Sequence, residues 1–208
     1  MIVMENRSDC FEPRRKKGRP LSFDRSAALD AAMLTFWQHG YEATSIADLT
    51  TAMGVTAPSL YNAFGDKKHL FLEAARRYVG DPEALTVTLA SAPTARQAIH
   101  NLLVSTANAF ASDETPKGCL LASATASVSK DAADVQQAVA EIRRAIAAAI
   151  GSRIQDDIQS GLLSQNTDAQ ALSLFVVTAI QGLSALARDG VDRATLVKVA
   201  NIASQACH

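Results

Sequence analysis

At 208 residues the chain can hold one large domain or two small ones, and with 48% hydrophobic residues it has material for a sizeable core. Charged residues make up 20% and the formal net charge is −1, which excludes a protein that is basic as a whole. Three widely spaced cysteines, Cys10, Cys119 and Cys207, argue against a disulfide framework and for a reducing cytoplasm.

The first residues carry Glu5, Asp9 and Glu12 and no apolar run, so no signal peptide is read. Residues 14–25 then bring together Arg14, Arg15, Lys16, Lys17, Arg19 and Arg25 against the single acid Asp24. Residues 81–208 hold nine Lys/Arg against twelve Asp/Glu. A cationic end on a mildly acidic remainder points to one nucleic-acid-facing module. Residues 1–22, with two prolines and clustered charge, read as a flexible basic arm.

Asp24 is placed to cap a helix running to about His39, with Leu29, Ala32, Met33 and Phe36 at helical spacing and Gly40 to stop it. Ser45 and Asp48 have the spacing of a capping box for a second helix with Ile46, Leu49 and Met53 inward, closed by Gly54. Thr56 caps a third, with Pro58 in its first turn, where a missing N–H costs nothing. Asp66 caps a fourth, with Phe71, Ala74, Ala75 and Tyr78 at helical spacing, and Gly80-Asp81-Pro82 breaks or bends it. Beyond Pro93 helices are expected near 94–112, 119–129, 132–160, 168–189 and 192–205, and no period-2 run of strand length occurs. The fold class is therefore all-α. Its expected parts are the arm (1–22), a three-helix helix-turn-helix head (23–69) and a helical body (70–208).

The second and third helices, joined by a tight turn, form a pair that can enter a DNA groove. The N-terminal part of the third helix would meet base edges. There Thr56, Ala57, Ser59 and Asn62 combine hydrogen-bonding groups with methyls suited to thymine. Thr44 and Ser45, at the start of the second helix, offer hydroxyls beside unpaired N–H groups, a phosphate seat. Tyr61 and Lys67 are placed to touch the DNA backbone; the open alternatives are core packing for Tyr61 and a solvated face for Lys67 and Lys68. In the arm, Arg15, Lys16, Lys17 and Arg19 include a Gly-Arg-Pro step that fits a narrow minor groove.

Phe36, His39-Gly40-Tyr41, Thr44-Ser45-Ile46, Gly54-Val55-Thr56, Leu60-Tyr61-Asn62-Ala63-Phe64, Lys67 and Leu70 together resemble the N-terminal domain of TetR-type transcriptional regulators. The likeness runs without gaps over about residues 24–75. Ala63, where the family often has histidine, and the early Pro58 depart from the pattern and leave base preference open. The resemblance implies an all-α homodimer with a DNA-binding head and a ligand-receiving body, usually a repressor. More loosely, Lys117-Gly118-Cys119-Leu120-Leu121, Gln181-Gly182-Leu183 and Ala187-Arg188-Asp189-Gly190 resemble one common body type.

The 168–189 helix is apolar nearly all round and must be covered on every side. Its interruptions by polar residues favour a buried helix over a membrane span. A two-fold dimer covers it, through Phe175, Val176, Ala179, Leu183 and Leu186 with Leu196, Val199 and Ala203 of the last helix. The resemblance places a small-molecule effector inside the body, and His100, Asn101, Val104, Phe110, Cys119, Ser123, Phe175 and Gln181 are the candidate lining. The partners expected are thus double-stranded operator DNA, a second copy of the chain and an effector, with no cofactor and no membrane. Cys119, after Gly118 at a helix start, is also a candidate sensor of oxidants or electrophiles. An activator with the same head is a further alternative. Cys119 with His100 carries no enzymatic signature, and His39, His69, His100 and Cys207-His208 lack metal-ligand spacing.

Overall fold

The computed structural model describes residues 23–124 and 132–206. These fold into ten helices: α1 Arg25–His39, α2 Ile46–Met53, α3 Ala57–Phe64, α4 Lys67–Val79, α5 Pro82–Ser91, α6 Ala95–Phe110, α7 Leu120–Ala124, α8 Ala133–Gln159, α9 Ala169–Arg188 and α10 Arg193–Gln205. No strand occurs among the described residues.

Side-chain caps set the head. Asp24 accepts the Ser26 and Ala27 N–H groups, Asp66 accepts that of His69, and Ser45 with Asp48 closes a reciprocal capping box. Gly54, at φ 64° and ψ 33°, takes the left-handed conformation that turns α2 into α3. Beneath lies a core of Leu29, Phe36, Leu49, Leu60, Phe64, Leu70 and Phe71. Phe71 meets Phe36 and Tyr41 edge-on, with centroids 5.2 and 5.1 Å apart. Arg25, grouped by sequence with the basic arm, is instead a structural residue. It holds Glu73 through both guanidinium nitrogens at 2.5 and 2.7 Å, donates to the Ala63 carbonyl at 3.3 Å and lies over the Phe64 ring.

α4 runs through the expected head–body border at 69/70 and packs on α1 through Leu70, Phe71, Ala74 and Ala75. The body is an α6–α8–α9–α10 bundle with α5 laid on α6 and α8. The helix α5 is not expected from the sequence, in which Gly80-Asp81-Pro82 reads as a break or bend. It is also a start: Asp81 accepts the Glu83 N–H at 2.9 Å and Pro82 occupies the first turn. A buried Arg153–Asp157 pair fastens the α5–α6 corner to α8. Asp157 accepts the Ala95 N–H at 2.6 Å, while Arg153 donates to the Leu89 and Ala92 carbonyls.

Candidate nucleic-acid interface and effector cavity

The outer side of α3 carries the groups that base readout requires. Thr56, Pro58, Tyr61 and Asn62 are exposed, Ala57 and Ser59 are half-buried, and Leu60 and Phe64 anchor the helix from below. Tyr61 is 49% exposed, so it is not core packing. The Thr56 and Ser59 hydroxyls lie 2.9 Å apart in a shared hydrogen bond across the first turn. Lys67 is held low, with Nζ 3.3 Å from the Glu42 carbonyl and 4.6 Å from the centre of the Tyr41 ring. Burial pulls its pKa down while Glu42 and Asp48 oppose the fall.

One expectation for the phosphate seat is corrected. Thr44 is 1% exposed and spends its hydroxyl on the Gly40 carbonyl at 2.6 Å, so it cannot offer that proton to DNA. Ser45 is exposed, gives its hydroxyl proton to Asp48 and accepts the Asp48 N–H within the capping box. Arg15, Lys16, Lys17 and Arg19 lie outside the described residues, as do Cys10 and the Cys207-His208 pair.

Behind the head, a cavity of about 640 Å³ opens between the end of α4 and helices α6, α8 and α9. Its wall is largely apolar, with Val79, Leu85, Leu102, Phe110, Ile142, Ile146 and Ile180, and its polar members include Arg76, Thr106, Arg143 and Gln181. Tyr78 and Cys119 form one side. Burial first of all, and then the neighbouring Cys119, pushes the Tyr78 phenol pKa up, while the Leu120 amide opposes the rise. The far face of Tyr78 meets Trp37 of α1 edge-on at 4.8 Å, and Trp37 Nε1 donates to the Gly118 carbonyl at 3.1 Å. An aromatic contact therefore joins the cavity wall to the first helix of the head.

Residues 28–74 match the family of bacterial regulatory proteins of the tetR type, and residues 95–202 match the tetracyclin repressor-like C-terminal domain. The chain belongs to the TetR family of transcriptional regulators. It is 33% identical over 189 residues to the HTH-type transcriptional repressor ComR of Escherichia coli K12, covering 90% of each chain. It is 29% identical over 195 residues to the repressor BdcR of the same organism, covering 92% of this chain and 93% of that one. Among solved structures it is similar to a cysteine-substituted CifR bound to a 26-bp double-stranded operator, at 39% identity and TM-score 0.86, covering 91% of this chain and 99% of that one. TetR regulators of this kind are DNA-binding proteins and not enzymes.

Of the expected cavity lining, Phe110, Cys119 and Gln181 stand in the wall and the other five do not. His100 faces α10, 3.2 Å from the Ser204 hydroxyl, in a small polar cleft. Asn101 is exposed and accepts from Gln97. Val104 packs on the core, Ser123 donates to the Trp37 carbonyl, and Phe175 is 40% exposed on the outer side of α9. The missed wall comes from the last turn of α4 and the middle of α8. Helical spacing marks such residues as apolar but does not distinguish core from cavity.

The dimer residues separate in the same way. Val176, Leu183 and Leu196 are fully buried in the protomer's own core, so they are withdrawn from a partner surface. Phe175 is exposed, and Ala179, Leu186, Val199 and Ala203 are half-buried. Leu174 (51% exposed), Thr178, Gly182 and Ala185 continue that stripe along α9, and Ile202 of α10 is 67% exposed beyond it. α9, with mean hydropathy 1.6 over a membrane-length window, is long and apolar enough to cross a membrane by composition alone. Here it packs on α6, α8 and α10.

Proposed function

We propose that this TetR regulator is a homodimeric repressor that holds a pseudo-palindromic operator and lets go when a small molecule enters the cavity. One observation carries the reading. The 13-residue helix α4 begins at Lys67, in the DNA-facing head, and its last turn supplies Arg76, Tyr78 and Val79 to the cavity wall. A helix of this length is about 20 Å long, so a shift at one end is passed on as a rigid movement of the other. Operator DNA accepts two recognition helices about one turn apart, roughly 34–36 Å. A ligand that prefers wider-set heads weakens the grip by its differential affinity for the two arrangements.

In this reading Thr56, Ala57, Ser59 and Asn62 meet bases, Tyr61 and Lys67 meet phosphates, and the arm with Arg15, Lys16, Lys17 and Arg19 enters the adjacent minor groove. The α9 stripe with α10 forms the two-fold contact. The operator-bound CifR and the repressors ComR and BdcR support the assignment. The test is selection of bound duplexes from a random pool by the full chain, followed by a compound screen for release. A half-site repeat held by two subunits is expected. Equal retention of every sequence overturns the proposal.

A second input is favoured by Cys119, which is 5% exposed yet lines the cavity beside Tyr78. An electrophile small enough to enter meets this thiol directly. If Cys119→Ser leaves electrophile-triggered release unchanged, this input is absent.

A further inference from the structure

We infer that the peptide unit joining Gly118 to Cys119 fixes the head on the body, and that Ser184 of α9 is a positioning residue for operator binding because it holds that unit. The inference rests on the dimeric repressor proposed above and adds a residue that is not in the cavity wall. A peptide unit is planar and trans, so its N–H and C=O point in opposite directions and turn together. Here the two ends have different owners. The Gly118 carbonyl accepts the Trp37 Nε1–H of α1 at 3.1 Å. The Cys119 N–H donates to the Ser184 hydroxyl oxygen at 2.8 Å. An indole in the head and a hydroxyl in the body therefore grip one plane from both sides.

Both grips are closed to water. Ser184 is fully buried, and Trp37 and Cys119 are 9% and 5% exposed. A buried N–H must be paired, so neither donor has solvent as a substitute. The Gly118 N–H braces the unit further by donating to the Phe110 carbonyl at 3.0 Å, and the Ser123 hydroxyl donates to the Trp37 carbonyl at 3.2 Å. Trp37 stands in the last turn of α1, next to Phe36 of the head core. By contrast, the Lys68–Asp134 pair that also crosses from head to body is exposed, and solvent and salt screen it. Cys119 lines the cavity, so a ligand that displaces this residue turns the same plane and moves Trp37 with it. Without the Ser184 oxygen the plane turns on its own, the head loses its set position, and two heads hold their separation less strictly.

The test pairs two variants: Ser184→Ala, which removes the acceptor, and Trp37→Phe, which removes the donor. Full-length proteins are titrated against the selected operator duplex and against copies with one base pair added or removed between the half-sites, a step of about 3.4 Å along the duplex. The unaltered protein is expected to bind the respaced duplexes about tenfold or more weaker, and either variant only about threefold weaker, because a loosened head accommodates the shift. The double variant is expected to match the singles, since both act through one plane. The second readout is solvent exchange of the Trp37 indole N–H by NMR, expected to be about tenfold or more faster in Ser184→Ala. A loss of stability alone leaves the spacing preference of the folded protein unchanged. An unaltered exchange rate in folded Ser184→Ala overturns the inference, and so does a spacing preference that both variants keep. If the unaltered protein selects no paired half-sites, the dimeric repressor falls; a faster indole exchange in Ser184→Ala then still upholds the hold of Ser184 on Trp37, and an equal one overturns it.

Discussion

Asp157 shows how much a single side chain can fix. Both carboxylate oxygens are engaged, one by Arg153 and one by the Ala95 N–H, and the two side chains are only 12% and 3% exposed. Removing one partner of a buried pair strands the other charge, at a typical cost of 3–5 kcal/mol, or about 10 °C in melting temperature for a chain of this size. Asp157→Asn is expected to lose about 3 kcal/mol in urea unfolding, and replacing both partners with apolar residues not to recover it, because the Ala95 N–H and the Leu89 and Ala92 carbonyls then lose their partners. Under the proposed function, single residues on the outer side of α3 decide recognition instead. Tyr61→Ala and Lys67→Ala are expected to weaken binding to all duplexes alike, whereas Asn62→Ala redistributes preference by about 1–3 kcal/mol at one position. Anisotropy titrations against matched and mismatched duplexes separate the two patterns, and unchanged affinity in the first pair removes their backbone role.

At the scale of elements, caps were what made the head legible. Ser45 with Asp48, Gly54, Thr56 and Asp66 each do in three dimensions what their spacing foretold, because capping is a local interaction that needs no knowledge of the rest of the chain. α5 escaped because Asp81-Pro82 serves both to end and to begin a helix. The cavity escaped because its wall is assembled from six helices, α4 to α9, spread along the chain from Arg76 to Gln181. The loop before α7 shows a constraint of the same non-local kind. Gly118 has φ 79°, and a Cβ there would lie 2.8 Å from both the carbonyl oxygen and the hydroxyl of Ser184. Gly54 has φ 64° and open space around it. Gly54→Ala is expected to cost about 1 kcal/mol, the left-handed penalty alone. Gly118→Ala adds a clash with backbone and is expected to cost about 2 kcal/mol more. Denaturant midpoints for the two variants measure the difference, and equal costs mean that α7 yields.

For the whole molecule, the sequence showed that α9 needed cover on all sides but not which residues the protomer covers itself. Phe175 and Leu174 remain outside, Val176 and Leu183 inside. Phe175→Glu is expected to shift the protein to monomers in light scattering and to weaken operator binding at least tenfold, as half a palindrome is held at a time. An unchanged dimer places the partner surface elsewhere. Acidity acts on the same global scale. Asp30 beside Arg77, Asp134 beside Lys68 and Asp66 at the His69 amide all have carboxyl pKa values held below the usual range by those hydrogen bonds. Groups so depressed bind fewer protons folded than unfolded. Their stabilisation is present above the unfolded pKa of about 4 and fades as pH falls through the lower folded values. Stability is therefore expected to decline below about pH 4, less steeply in Asp30→Asn and Asp134→Asn, and less in high salt because these groups are exposed. Superimposable pH profiles for the variants and the parent remove that link.

The chain has one tryptophan, and it is Trp37, wedged between the phenol of Tyr78 and the Gly118 carbonyl. Its indole emission thus comes from a single place, the joint where torso meets head. The unlabelled protein carries its own optical gauge: a spectral shift on adding a compound reports a disturbance at that joint, with or without DNA in the cuvette.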